Sequence, residues 1–125
     1  MFSNNARRNI KMPFIEVKTS AKITKENESV LTKKLGKIIE LIPGKTEAWL
    51  MLSFTDECKM AFRGNSDADT AMVNVELLGS ASSKAYDDMT KAICDTVSET
   101  LGVPYDRIYV KYAEFMHWGF AGENF

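Results

Sequence analysis

The sequence predicts an α+β domain of two layers. Two βαβ units in tandem give a four-stranded sheet with two helices on one of its faces. Three observations lead there. Apolar and polar residues alternate over 13–20 and 107–113. Apolar residues recur at helical spacing over 24–42 and 83–101. The first half of the pattern returns in the second half at an offset of 58 residues, with no gap.

The elements follow in order. In PFIEVKTS (13–20), Ile15 and Val17 alternate with Glu16 and Lys18, and Pro13 can stand only at the strand's first position or edge. Over 24–42, Val30, Leu31, Leu35, Ile38, Ile39 and Ile42 share one helix face. Thr24 caps that helix, Glu26 and Glu28 suit its first turns, and Pro43 and Gly44 stop it. AWLMLSF (48–54) reads as a second strand, and 55–70 is rich in turn residues. AMVNVELL (71–78) is a third strand. The second helix, 83–101, buries Ala85, Met89, Ile93 and Val97, and ends at Gly102 and Pro104. RIYVKYA (107–113) is the last strand, and an aromatic, glycine-bearing tail follows it.

The repeat pairs Ile15 with Val73, Val17 with Val75, Leu31 with Met89, Leu35 with Ile93, and Gly44 with Gly102. Each unit's crossover should be right-handed, which makes its two strands parallel. The sheet face without helices carries alternate apolar residues and needs cover. In a chain this short, a second copy is the natural cover.

Composition narrows the function. The 125 residues suit one domain. The net charge of −1 gives no overall attraction to nucleic acid, and no apolar run approaches a membrane span. Cys58 and Cys94 lie 36 positions apart, with no CxxC and a single histidine, His117, which argues against structural zinc. No cofactor is expected. Residues 1–12 hold Arg7, Arg8 and Lys11 and no acid, so the segment carries +3 and the rest of the chain −4. It lacks an apolar h-region, which predicts a cytoplasmic protein whose export, if any, runs outside the signal-peptide route. It reads as a polar tail or as an upstream start that is not used, in either case an extension outside the mature domain, 13–125. The second reading matters because residue 12 is a methionine and residue 13 a proline.

Five pieces in order carry a family resemblance: PFIEVKT at 13–19, PGK at 43–45, MAFRGNSD at 60–67, GVPYDRIYVKY at 102–112 and WGFAGENF at 118–125. On the doubled βαβ frame, the chain resembles the macrophage migration inhibitory factor family of the tautomerase superfamily. The resemblance implies a homotrimer with active sites between subunits. It also implies an isomerase that interconverts the keto and enol forms of phenylpyruvate-like 2-keto acids, with dopachrome-like compounds as artificial substrates. The implied base is Pro13, once Met12 is trimmed. A free α-amino group has a pKa of about 7.7–8.0, burial lowers it, and a proline inside a chain is an amide with no such lone pair.

The resemblance also implies substrate contacts. Lys45 pairs with the substrate carboxylate, the backbone at Val75 touches substrate, and Tyr109 lines a neighbouring subunit's site. Lys111 departs from the asparagine seen in mammalian members, and a second cation there would favour dianionic substrates. Trp49 and Phe120 are the first choices for apolar walls, followed by Phe14 and Trp118. The stretch SDADTAM (66–72) lacks the family's human-type CxxC, which removes thiol–disulfide exchange. Arg63 and Arg107, the domain's arginines, have no evident pocket role, which ranks decarboxylation or dehalogenation last. The alternative to an enzyme is a cytokine-like trimer that engages a receptor or host protein and tolerates substitution of Pro13.

Overall fold

The computed structural model describes residues 12–125. Of the expected extension at 1–12, all but Met12 lies outside the described residues. Strand β1 is Pro13–Thr19, helix α1 Lys25–Ile38, β2 Met51–Thr55, β3 Ala71–Leu78, helix α2 Ser83–Leu101, and β4 Ile108–Phe115. The sheet order is β2-β1-β3-β4. β1 pairs in parallel with β2, and β3 with β4, as two βαβ units require. The two units join through an antiparallel β1–β3 pair at the centre.

The helices pack against each other on one face of the sheet. Ile15 and Val17 of β1 and Val73, Val75 and Leu77 of β3 meet Leu31, Leu35, Met89, Ile93 and Val97, all about fully buried. Thr24 caps α1 by accepting from Asn27 N at 3.1 Å. Ser82 does the same for α2, with Ala85 N as donor at 3.1 Å. Gly102 closes α2 at φ 74°, a conformation that favours glycine.

Several boundaries differ from the sequence reading. The last strand, expected over 107–113, is Ile108–Phe115, because Arg107 ends a 3-10 turn, Tyr105–Arg107. The first helix was expected to reach residue 42, but α1 stops at Ile38 and tightens into a 3-10 turn, Ile39–Leu41. Pro43 disfavours helical geometry at the residue before it, and Ile42 is extended (φ −93°, ψ 117°) yet still buried. The second strand starts at Met51, because Glu47–Trp49 form a 3-10 turn closed by Leu50 N donating to Glu47 O at 3.1 Å. The tail forms a hairpin, β5 (Gly119–Phe120) with β6 (Glu123–Asn124). Its turn residues, Ala121 and Gly122, both have positive φ (51° and 85°), the twist a two-residue hairpin loop needs.

The sheet face without helices is mixed rather than apolar. By the two-residue period of strands it presents Phe14, Met51, Met72, Tyr109 and Phe115 among Glu16, Lys18, Asn74, Glu76 and Lys111. Tyr109 is 57% exposed and Met51 67%. At its centre Asn74 Nδ2 donates to Glu16 Oε1 at 3.0 Å, while Asn74 Oδ1 is buried with no partner among the described residues. No helix of the described residues is long and apolar enough to cross a membrane.

Candidate active site

Pro13 opens β1 opposite Leu77, as the ring demands at a position with no N–H to donate. It lies on the wall of a cleft of about 510 Å3. The 3-10 turn carries Trp49 to one side of this cleft, and the tail hairpin carries Trp118 and Phe120 to the other. Trp49 and Phe120 meet edge to face, with ring centroids 5.2 Å apart. Phe120 in turn stacks on Phe125 at 6.1 Å. Met12, Phe14 and Met51 complete an apolar lining. Of the expected site residues, Pro13, Trp49 and Phe120 are thus brought together, with Phe14 and Trp118 beside them.

Lys45 is only 2% exposed, which is unusual for a lysine. The turn after α1 holds it, with Lys45 N donating to Ile42 O at 3.1 Å. Its Nζ donates to Leu78 O at 3.3 Å, and Leu78 N donates to Met12 O at 2.9 Å. One residue of β3 therefore ties the ammonium of Lys45 to the peptide that joins Met12 to Pro13.

The other expected residues lie elsewhere. Val75 has its side chain in the core at 1% exposure, and its main chain is paired between Ile15 and Tyr112. Leu78, at the end of the same strand, is the residue whose backbone borders Lys45 and Met12. Tyr109 stands at the far end of the sheet, opposite Met72, with its ring edge-on to Phe62 at 5.0 Å. Lys111 sits beside Asn74 on the open face. Within one chain neither lines the cleft.

Glu76 does line the cleft and was not singled out from sequence. Its signal was present in the alternation of AMVNVELL, where Val75 and Leu77 claim the core and leave Glu76 on the opposite face with Phe14. The arginines take structural roles. Arg107, 7% exposed, donates to Asp69 O, Thr70 Oγ1, Phe62 O, Asn65 Oδ1 and Asn65 O. Arg63 pairs with Asp106 at 3.0 Å. His117 is exposed. Cys94 is buried beside the core, and burial pushes its thiol pKa up, followed by the Asp95 charge.

A doubled βαβ sheet with a proline opening its first strand in an aromatic cleft is the architecture of the tautomerase superfamily. The family model "Macrophage migration inhibitory factor (MIF)" matches residues 12–125, and the chain belongs to that family. It is 27% identical over 101 residues to the macrophage migration inhibitory factor of Xenopus laevis, which covers 78% of this chain and 82% of that protein. The crystal structure of Leishmania major MIF2 superposes with a TM-score of 0.85 at 32% identity, covering 91% of this chain and 97% of that one. A macrophage migration inhibitory factor homologue from Prochlorococcus marinus gives 0.77 at 26% identity, covering 90% and 98%.

Proposed function

We propose that this protein is a keto–enol tautomerase of phenylpyruvate-like 2-keto acids, assembled as a homotrimer, with Pro13 as its general base after Met12 and the residues before it are removed. The observation that carries this reading is the position of Pro13, at the start of β1 on the wall of an aromatic cleft. Freed of Met12, its nitrogen becomes a secondary amine. Apolar surroundings disfavour the ammonium form, so the amine is uncharged near neutral pH and takes a proton from the carbon beside the keto group. The ammonium so formed gives its proton to the enolate oxygen, which completes the enol, and ketonisation runs the same two transfers in reverse. Lys45 is the cation for the substrate carboxylate: its ammonium donates to Leu78 O, and Leu78 N donates to the carbonyl of Met12, the residue before Pro13. Trp49 and Phe120 supply the surface for an aromatic side chain.

The open sheet face supports assembly. It leaves Met51, Tyr109 and Phe115 exposed and the buried Asn74 Oδ1 without a donor among the described residues. Copies packed on this face would bring Tyr109 and Lys111 of one chain toward the cleft of the next.

The test compares phenylpyruvate tautomerisation by two forms of the chain, one trimmed to begin at Pro13 and one of full length. Activity in the trimmed form alone supports the reading. If both forms assemble and neither turns substrate over, the cleft is not a tautomerase site for 2-keto acids of this kind, and a cytokine-like surface role takes its place.

A further inference from the structure

The cleft contains one group that the tautomerase reading leaves unused. Among the described residues, Glu76 is the only ionisable side chain that lines it. Glu76 lies across from Phe14, and its carboxylate makes no hydrogen bond or ion pair among the described residues. The neighbouring charges are placed differently. Lys45 is held by Leu78 O. Glu114, one residue beyond Ala113 opposite, accepts from the Tyr86 hydroxyl. Glu16 accepts from Asn74, and Glu123 of the tail hairpin has a partner of its own. Lys111 sits two residues before Ala113 on the same face as Glu76, and no ion pair joins the two within the chain. The Lys111 that a neighbouring copy would bring toward the cleft is offset by Glu76, which cancels the preference for dianionic substrates that this cation alone would give.

We infer that Glu76 is a specificity-determining residue: its carboxylate makes the cleft favour 2-keto acids that carry a hydrogen-bond donor on the side chain and reject those that carry a second carboxylate. The inference rests on the tautomerase reading of this cleft and deepens it. The geometry is set by one strand. Leu78 fixes Lys45, and Glu76 precedes Leu78 by two residues on the same face, a step of about 7 Å along a strand. A keto acid whose side chain enters the aromatic cleft meets Glu76 on its lining. A second negative charge on that side chain then meets a like charge among mostly apolar walls, which costs on the order of tenfold or more in binding. A hydroxyl there instead donates to a carboxylate, one of the stronger neutral–ionic hydrogen bonds.

The experiment measures kcat/KM of the Pro13-first protein for phenylpyruvate, 4-hydroxyphenylpyruvate and oxaloacetate, with Glu76→Gln and Glu76→Asp beside it. Glu76→Gln is expected to raise the oxaloacetate-to-phenylpyruvate ratio about tenfold and to lower the preference for the hydroxylated substrate severalfold. Glu76→Asp keeps the charge and should keep the discrimination. Equal changes on all three substrates, or an Asp variant that behaves like the Gln variant, overturn the proposal. A binding readout separates this from failure of the tautomerase reading. Trp49 and Trp118 line the cleft, so quenching of their fluorescence by phenylpropionate and by phenylsuccinate reports occupancy without turnover. The wild-type protein should bind the monoacid about tenfold more tightly than the diacid, and Glu76→Gln should narrow the gap. An unchanged ratio overturns the proposal even if no substrate is turned over.

Discussion

Glu16 and Asn74 face each other at the centre of the sheet, and they are the same position in the two halves of the repeat. The 58-residue offset carries one onto the other, so a local two-fold axis passes between them. A symmetric pair of identical side chains would set carboxylate against carboxylate or amide against amide. The chain places one of each, and Asn74 Nδ2 donates to Glu16 Oε1 at 3.0 Å.

Asn74→Asp removes that donor and puts two carboxylates within contact. It is expected to lower stability by on the order of 1–3 kcal/mol at neutral pH and to recover as acid protonates one of them. Thermal denaturation of both proteins between neutral and acid pH checks this, and equal midpoints throughout would sink it.

Trimming to Pro13 has a structural cost. Met12 is 3% exposed, and its carbonyl accepts from Leu78 N at 2.9 Å. Removing Met12 leaves Leu78 N without that acceptor, worth about 1 kcal/mol, besides the lost burial. The trimmed protein should therefore melt a few degrees below the full-length chain at equal concentration. A trimmed form that melts higher contradicts this account.

Arg107 holds the 62–70 segment to the sheet through its five hydrogen bonds, and its guanidinium lies 5.5 Å over the Phe62 ring. Arg107→Ala strands several of these acceptors and should cost about 3 kcal/mol. Arg107→Lys should recover little of it, because an ammonium cannot reproduce the planar fork. Chemical denaturation of the three proteins measures both differences.

Tyr86 has its hydroxyl pKa pushed up to about 12, first by burial and then by its hydrogen bond to Glu114. A folded pKa above the usual value of about 10 means the phenol favours the folded state fully below pH 10. That contribution fades as pH rises from about 10 to about 12. Tyr86→Phe should flatten the fall of the melting temperature across this window, and a slope as steep as in the parent protein would remove Tyr86 as its source.

The sheet and helices were legible because the repeat reinforces each weak local signal. Residues 71–78 and 83–101 are bounded in the fold as their patterns predict. The tail hairpin was not legible, because its turn is Ala121–Gly122 rather than Asn-Gly, and alanine at positive φ is not a turn signal. Trp49 and Phe120 could be named as cleft walls, but what makes them neighbours is a 3-10 turn inside an apolar run and that unforeseen hairpin. Glu76 was hidden for the same reason: half-exposed glutamate on a strand is ordinary until the hairpin closes a cleft over it. The burial of Lys45 follows from a three-dimensional coincidence of the α1 exit and the β3 end, which spacing does not encode.

The repeat also divides labour between two matched ends of the sheet. The offset that carries Pro13 onto Ala71 carries Trp49 onto Arg107. Where the first half leaves a hollow walled by Trp49, the second half fills the equivalent space with the Arg107 guanidinium, bonded to Asp69 and Thr70 just before Ala71. Two separate half-length chains building the same sheet would each begin with a free amine, one at either end. Fusing them leaves a single terminus, so one strand start in two can ever become reactive, and the other is released to serve as a girder.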